Sequence, residues 1–134
     1  MTGRTGGGLR LLLVEDEQAN RALIRAILSR ARQPELAGHV LHEAATIGEA
    51  RAILATEPID VILLDVRLPD GSGLDLAAEV RASSRPAVRI IIISASVLPA
   101  ERSRAVESGA DAFLGKPFGA KDLIDVLVAL APGA

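Results

Sequence analysis

The chain alternates between short apolar runs and longer stretches in which apolar residues recur at the spacing of an amphipathic helix. Residues 61–64 and 90–93 are aliphatic without interruption, which is typical of strands buried on both faces of a parallel sheet. The first helical stretch carries a stripe of four apolar residues, Leu23, Ile24, Ile27 and Leu28. The pattern predicts strands at residues 9–15, 40–44, 61–65, 89–94 and 112–114, and helices at residues 18–31, 47–56, 74–83, 99–108 and 120–130.

Strict alternation of strand and helix predicts an α/β fold, in which a parallel sheet carries helices on both faces. The two uninterrupted runs should be the central strands. Thr46 and Glu49 have the spacing of a capping box before the second helix. Ser72 and Asp75 have the same spacing before the third, and Gly109 stands where a C-terminal cap would end the fourth.

Composition narrows the possible functions. The 134 residues suit one domain, and a net charge of −2 without a block of like charges indicates neither nucleic acid nor an anionic membrane as a partner. The absence of cysteine excludes disulfides, thiolate metal sites and a catalytic thiol. Two phenylalanines are the only aromatic residues, which argues against single-stranded nucleic-acid binding. No apolar run has the length of a membrane span, so we expect a cytoplasmic protein.

The ends of the chain differ from the rest in composition. Residues 1–8 are rich in glycine, and residues 132–134 follow the last predicted helix, so both are expected to be flexible tails. Residues 9–131 then form the predicted domain, and this division leaves no room for a second one.

Polar residues lie at or just after the ends of four predicted strands: Glu15 and Asp16, Asp65, Ser94 and Lys116. The carboxyl ends of parallel strands share one edge of the sheet, so these side chains should converge. Three carboxylates against one lysine repel each other unless a cation is present, and oxygen ligands favour a hard cation such as Mg²⁺. An Asp carboxylate can also act as a nucleophile and form an aspartyl phosphate. The lysine and the serine hydroxyl would then stabilise the charge of the phosphoryl group.

Each of these residues also has an ordinary explanation. Acids such as Glu15 and Asp16 are favoured before the first turn of a helix, Lys116 alone would be a solvated surface residue, and Phe113 alone would belong to the core. These explanations do not account for two acids, a third acid, a hydroxyl and a lysine at successive strand ends of one sheet.

Four motifs occur in the order in which a known family carries them. They are Leu13-Val14-Glu15-Asp16; Leu63-Leu64-Asp65 with Leu68-Pro69-Asp70-Gly71-Ser72-Gly73; Ile93-Ser94-Ala95; and Phe113-Leu114-Gly115-Lys116-Pro117-Phe118. Each motif is weak alone, but with the whole ordered set residues 9–130 resemble the receiver domain of two-component response regulators. The resemblance implies a flavodoxin-like, doubly wound, five-stranded parallel sheet of strand order 2-1-3-4-5, with five helices.

The resemblance implies that Asp65 is a phosphoacceptor, served by a sensor histidine kinase or a histidine phosphotransfer protein. It also implies Mg²⁺, or Mn²⁺ in its place, as the cofactor. Its ligands would be Glu15, through a water molecule, Asp16, Asp65 and the backbone carbonyl of Arg67. Arg67 and Ser96 stand where the family tunes the lifetime of the phosphoryl group.

Other roles implied by the resemblance concern the response to phosphorylation. Lys116 would pair with the phosphoryl group, and the Lys116–Pro117 peptide would be cis. Ser94 would move to bond the phosphoryl group while Phe113 swings inward, so these two residues form the switch. The fourth helix, fifth strand and fifth helix would act on an unknown downstream protein or output domain. The protein would be a stand-alone signalling switch, not an enzyme, that catalyses only its own phosphorylation and dephosphorylation.

Self-association is a further hypothesis. Ala112 stands where the transcription-factor subfamily carries an acid, and Lys121 is the only basic residue of the fifth helix, so the salt-bridged dimer of that subfamily is not expected. The apolar residues of the fifth helix exceed what one buried face needs. They suggest a weak homodimer through the output face, or simply a helix that is well buried on the sheet.

Three other functions compete with this interpretation. A receiver-like interaction module that is never phosphorylated usually lacks one of the site residues, all of which are present here. A haloacid-dehalogenase-like phosphatase would carry a second Asp where this chain has Arg67. A flavodoxin would need a phosphate-binding loop after the first strand and aromatic residues around the flavin, and this chain has Glu15, Asp16 and Glu17 there instead.

Overall fold

The structure, a computed structural model, describes residues 8–83, 87–95 and 98–131. Five strands form one parallel sheet in the order β2-β1-β3-β4-β5. They are β1 (Arg10–Val14), β2 (Val40–Ala44), β3 (Val61–Asp65), β4 (Arg89–Ser94) and β5 (Ala112–Gly115). The predicted fold class and strand order are confirmed. Residues 1–7, 84–86, 96, 97 and 132–134, which include most of the two predicted tails and Ser96, lie outside the described residues.

Five helices connect and follow the strands: α1 (Gln18–Arg30), α2 (Ile47–Thr56), α3 (Gly73–Ala82), α4 (Pro99–Glu107) and α5 (Ala120–Leu130). Elements β2, β3, β4, α2 and α5 have the predicted bounds, and the others differ by one residue at one or both ends. The sequence pattern missed two short features, a 3₁₀ turn at Pro34–Leu36 and an antiparallel hairpin of Arg67–Leu68 with Gly71–Ser72. No helix within the described part of the chain is long and apolar enough to cross a lipid bilayer.

The core consists of two aliphatic clusters, one on each face of the sheet. Successive residues of a strand point to opposite faces, so β3 gives Ile62 and Leu64 to one cluster and Val61 and Leu63 to the other. The first cluster packs against α2, α3 and α4, and the second against α1 and α5. Complete burial of such a side chain contributes about 1.5–3 kcal/mol, so we expect the central strands to require the most free energy for local opening.

Helix α1 departs from its predicted burial at one position. Ile24 and Leu28 are buried and Ile27 is half-buried against the core, as the stripe predicts, but 51% of Leu23 is exposed. Only a narrow face of α1 contacts the sheet, and Leu23 lies at its margin, beside Pro117 and Phe118 of the segment that follows β5. The apolar stripe therefore includes one residue, Leu23, that the fold leaves largely exposed.

The N-terminus of α2 is capped from two directions. Thr46 Oγ1 accepts a hydrogen bond from the amide of Glu49 at 3.0 Å, as predicted, whereas the Glu49 carboxylate accepts from the amide of Ala45 at 2.7 Å. Asp70, in the loop after β3, accepts from the amides of Ile47 at 2.8 Å and Gly48 at 3.0 Å. Asp70 therefore ties the loop behind the phosphoacceptor candidate to a neighbouring helix.

The other predicted helix signals are largely confirmed. Ser72 caps α3, although its hydroxyl accepts from the amide of Leu74, at 3.1 Å, one residue earlier than a capping box requires. Pro99 begins α4. Gly109 follows the C-cap of α4 with a φ of 100°, a backbone conformation that favours glycine.

The cap formed by Asp70 should make stability depend on pH. Hydrogen bonds from the amides of Ile47 and Gly48 lower the pKa of Asp70 below its ordinary value of 3.8. Because the folded pKa is the lower one, the cap stabilises the fold above that ordinary value, and the contribution disappears as pH falls through the folded pKa. We expect Asp70→Ala to lower Tm at neutral pH, and its deficit relative to the wild type to shrink in acid.

Thermal unfolding followed by circular dichroism, between neutral pH and about pH 3, checks this expectation. Asp70→Asn is the matched control, because it keeps one acceptor oxygen but does not titrate in this range. It should lose less stability than Asp70→Ala at neutral pH. A deficit of Asp70→Ala that is the same at every pH would contradict the proposed contribution of the cap.

Candidate functional site

The carboxyl ends of β1, β3, β4 and β5 border a cleft of about 490 Å³. The predicted residues Asp16, Asp65, Arg67, Ser94 and Lys116 line it, together with Glu17 and Ala95. Residues far apart in the sequence converge here because every strand of the sheet runs in the same direction.

Three carboxylates meet at this edge. Glu15 and Asp65 are buried and Asp16 is exposed, and one oxygen from each lies within 4.8 Å of the others. Such a cluster is unfavourable without a compensating positive charge, because like charges in one site repel. An arrangement of oxygen ligands without histidine or cysteine suits a hard divalent cation, so the residues present fit Mg²⁺.

Lys116 supplies the positive charge of the cluster. Its Nζ lies 2.9 Å from Glu15 Oε1 and 2.9 Å from Asp65 Oδ2. Burial favours the neutral amine and is the largest single influence on the pKa of Lys116. The hydrogen bonds and charges of Glu15 and Asp65 act in the opposite direction and together outweigh burial. The pKa of Lys116 is therefore raised above its ordinary value, and the side chain is an ammonium at neutral pH.

The two buried acids differ in how their oxygens are used. Both oxygens of Glu15 accept hydrogen bonds, Oε1 from Lys116 and Oε2 from the amide of Glu17 at 3.0 Å. In Asp65, Oδ2 accepts from Lys116, while Oδ1 accepts from the amide of Arg67 at a long 3.3 Å. Asp65 Oδ1 is thus the carboxylate oxygen that is held more loosely, and the Asp65 residue lines the cleft.

Ser94 and Lys116 are linked through the main chain. Ser94 is buried at the end of β4, and its carbonyl accepts a hydrogen bond from the Lys116 amide at 2.8 Å. The Lys116–Pro117 peptide is cis, as the resemblance implies. The fifth strand and its following turn therefore carry the lysine to the same edge as the serine.

Phe113 lies apart from the cleft. It is half-buried in β5 against the cluster that packs on α2, α3 and α4. The guanidinium carbon of Arg102, on α4, lies 4.8 Å from the centre of its ring, within the range of a cation–π interaction. The sequence pattern did not indicate Arg102, because the contact joins residues of different elements and no local motif encodes it.

Gly73 supports the position of Asp65 from behind. A Cβ atom at Gly73 would lie 2.0 Å from the carbonyl oxygen of Asp65 and 3.1 Å from Leu64 Cγ. The amide of Gly73 also donates to the carbonyl of Val66 at 2.7 Å. The start of α3 therefore packs directly on the main chain of the phosphoacceptor candidate, which only a residue without a side chain permits.

Comparison with known proteins identifies the family and the fold. The sequence matches the family described as response regulator receiver domain over residues 11–128. The chain belongs to the response regulator receiver family. The match confirms the predicted family. Receiver domains of this family are signalling switches of two-component systems.

Several curated proteins contain a similar receiver domain. The KDP operon transcriptional regulatory protein KdpE of Escherichia coli strain K12 is 38% identical over 113 residues, which are 84% of this chain and 47% of KdpE. The sensory/regulatory protein RpfC of Xanthomonas campestris pv. campestris strain ATCC 33913 is 30% identical over 129 residues, which are 92% of this chain and 16% of RpfC. The chain thus spans half or less of the length of these relatives.

Solved structures share the architecture. The receiver domain of sensor histidine kinase PA1611 from Pseudomonas aeruginosa PAO1, which holds a magnesium ion in its active-site cleft, superimposes with a TM-score of 0.81 at 29% identity. The alignment covers 93% of this receiver and 98% of that one. A CheY-like receiver domain protein from Methanospirillum hungatei JF-1 gives a TM-score of 0.80 at 28% identity, over 92% of this chain and 93% of that one.

Substituting Gly73 tests how tightly α3 fixes the receiver site. The Cβ atom of Gly73→Ala would contact backbone that cannot move independently, so we expect a loss of about 1–3 kcal/mol, as for other overpacked sites. The amide resonances of Asp65, Val66 and Arg67 should shift at the same time. Urea unfolding and amide spectra measure both effects.

Gly48→Ala is the matched control within a helix. A Cβ atom at Gly48 would lie 3.7 Å from Asp70 Oδ2 and 3.8 Å from Thr46 Oγ1, which are ordinary contacts. This variant should be as stable as the wild type or more so, because alanine favours a helix by up to about 1 kcal/mol over glycine. A Gly73→Ala protein with wild-type stability and unshifted resonances would contradict the close packing.

Proposed function

We propose that this receiver domain accepts a phosphoryl group on Asp65 from a sensor histidine kinase or a histidine phosphotransfer protein. The observation that carries the proposal is the ion pair between Lys116 Nζ and Asp65 Oδ2, at 2.9 Å, inside a cleft with two further acids. This arrangement places a permanent positive charge beside the carboxylate that faces the cleft, where phosphoryl transfer needs stabilisation.

The transfer step uses the loosely held oxygen of Asp65. This oxygen attacks the phosphorus of the donor phosphohistidine, so that a P–O bond forms while the P–N bond breaks and the imidazole nitrogen keeps the electron pair. Lys116, already held by Glu15, pairs with a phosphoryl oxygen of the product. The Ser94 hydroxyl donates a hydrogen bond to a second phosphoryl oxygen. This bond stabilises the conformation in which Ser94 reaches the phosphoryl group.

Four groups of this chain would hold Mg²⁺, or Mn²⁺ in its place: Glu15, Asp16, Asp65 and the backbone carbonyl of Arg67. When bound, the cation neutralises negative charge on the transferring phosphoryl group. Glu15, which is buried and already pairs with Lys116, would act through a water molecule, as the family resemblance implies. Asp16 is the exposed acid and would be the most accessible ligand.

The phosphorylated state would be transmitted through Ser94 and Phe113 to the face formed by α4, β5 and α5. Arg102, stacked on Phe113, lies on this face and connects the ring to α4. The proposed target is a protein or an output domain, not nucleic acid or a membrane. We place this signalling step in the cytoplasm, with the receiver catalysing only its own phosphorylation and dephosphorylation.

A test of the proposal is the intact mass after incubation with acetyl phosphate and Mg²⁺. The wild type should gain one phosphoryl group, and Asp65→Asn should gain none. Lys116→Met should slow the reaction about 100-fold, which is typical for loss of one group that stabilises the developing charge. Lys121→Met is the matched control, because Lys121 is exposed on α5 and pairs with Asp125.

Two results would argue against this function. Phosphorylation of Asp65→Asn would place the acceptor elsewhere, and an unchanged rate in Lys116→Met would remove the role of the ion pair. If neither acetyl phosphate nor beryllofluoride with Mg²⁺ alters the wild type, a constitutive interaction module becomes the better description.

Weak self-association through α4, β5 and α5 is part of the proposal. In α5, Leu123 and Leu127 are buried, and Ile124, Val126 and Leu130 are half-buried against the core, so burial on the sheet accounts for most of its apolar residues. Within this face, the exposed large apolar residues are one on α4 and one at its N-cap. Leu98 and Val106 are 63% and 71% exposed, and they flank Arg102 at the spacing of helix turns.

We expect Val106→Asp to abolish concentration-dependent association in the presence of beryllofluoride and Mg²⁺, because it places a charge in the proposed contact. Sedimentation velocity measures this directly. Ala26→Asp, on the exposed side of α1, is the control and should associate like the wild type. A wild type that stays monomeric at high concentration, with and without beryllofluoride, would remove self-association from the proposal.

A further inference from the structure

The peptide group between the two adjacent acids, Glu15 and Asp16, is held by a side chain that the steps above do not use. Arg21, on α1, donates a hydrogen bond from Nη1 to the carbonyl oxygen of Glu15 at 2.8 Å. On the other side, the amide of Glu15 donates to the carbonyl of Ala44 at 2.9 Å. The main chain that leads out of β1 into Asp16 is therefore fixed by both a strand and a helix.

Arg21 is itself anchored. Its Nε lies 3.5 Å from Glu43 Oε1, and Glu43 stands on β2, next to the strand that carries Glu15. Arg25 binds Glu43 with two hydrogen bonds, Nε to Oε2 at 2.9 Å and Nη2 to Oε1 at 2.8 Å. The Arg21 side chain is only 19% exposed, so its position is restricted by packing as well as by charge.

This anchoring matters most for Asp16. Asp16 is the exposed acid of the three and lines the cleft, so its carboxylate is accessible for direct contact with a cation. An exposed carboxylate at a strand end loses conformational freedom when it binds a ligand, which weakens binding unless the main chain is already ordered. The Arg21 bond orders the peptide group from which the Asp16 side chain extends.

We propose that Arg21 is a positioning residue for the divalent-cation site, a role that rests on the function proposed above. Arg21 orients the Glu15–Asp16 peptide group and presents Asp16 to the cation, while Glu43 holds Arg21 in place. The alternative is that Arg21 only ties α1 to β2. Arg25 makes that tie without contacting either acid, so it provides the matched control.

The direction of the change in cation affinity distinguishes a positioning role for Arg21 from a purely electrostatic one. Loss of a positive charge beside a cation site would, by charge alone, strengthen cation binding. Loss of positioning would weaken it, typically at least tenfold when a partner that orients a ligand is removed. Arg21→Met and Arg25→Met remove the same charge from neighbouring turns of α1, but only Arg21→Met releases the peptide group.

The experiment is a titration of the full chain with Mn²⁺, followed by electron paramagnetic resonance of the free ion. We expect Arg21→Met to bind Mn²⁺ about tenfold more weakly than the wild type. Arg25→Met should bind as the wild type does or more tightly. In the metal-free protein, the Asp16 amide resonance should shift in Arg21→Met and stay in place in Arg25→Met. Thermal unfolding of each variant confirms that it is folded.

Unchanged or tighter Mn²⁺ binding by Arg21→Met would overturn the inference, and so would equal weakening in both variants. If Arg21→Met does not fold, Arg21→Lys takes its place, since a single ammonium cannot contact Glu15 and Glu43 as the guanidinium does. Arg21→Lys should bind Mn²⁺ more weakly than the wild type, and wild-type affinity would overturn the inference. A wild type that binds no Mn²⁺ and accepts no phosphoryl group would overturn the proposed function as well, whereas failure of the Arg21 variants alone leaves that function standing.

Discussion

The ion pairs of Lys116 with Glu15 and Asp65 are the interaction on which the arrangement of the site depends. Two carboxylates are buried at the edge of an aliphatic sheet, and moving each of them out of water costs several kcal/mol unless an opposite charge and hydrogen bonds compensate. Lys116 meets this requirement for both acids at once, at 2.9 Å from each. The pairing is possible only because β1, β3 and the turn after β5 end on one side of the sheet. Lys116 compensates only part of the negative charge, since Asp16 adds a third carboxylate. In the proposed function, this remaining negative charge is what would attract a cation to the edge.

The aliphatic sheet provides the rigidity that this pairing needs. Residues 61–64 of β3 and 90–93 of β4 are buried aliphatic side chains, so no polar side chain within these stretches competes for the hydrogen bonds of the sheet. In these two strands the polar side chains are confined to the ends. Asp70 and Gly73 connect the loop after β3 to α2 and α3, so the segment that carries Asp65 is held on both sides. A rigid sheet with loops held in this way can keep charged groups at fixed distances, while residues such as Phe113 and Ser94 remain available for movement.

Sequence patterns predicted correctly those features of the fold and the site that depend on local or periodic signals. Aliphatic runs located β3 and β4, and the fixed direction of parallel strands then brought Asp65, Ser94 and Lys116 to one edge. The features that it missed arise from contacts between distant elements. Asp70 caps a helix that begins 23 residues earlier in the chain, and Arg102 stacks on a ring of another element. Leu23 fits the helical period but lies at the margin of the face of α1 that contacts the sheet. A periodic pattern predicts the direction of a side chain, but it does not predict how wide the contacting surface is. Arg21 has no motif of its own, since its target is a backbone carbonyl.

The alternation of β3 between the two core clusters limits how this chain can change in evolution. Insertion or deletion of one residue within the strand would exchange Leu63 with its neighbours between the two faces and turn Asp65 away from Lys116. Changes in length are tolerated better in connections outside the strands, and those at the other edge of the sheet, such as the 3₁₀ turn at Pro34–Leu36 between α1 and β2, also lie away from the site. We therefore expect divergent descendants of this domain to keep the same strand lengths while their connections outside the strands vary. Conserved strand lengths would also keep Asp65, Ser94 and Lys116 at the same edge of the sheet.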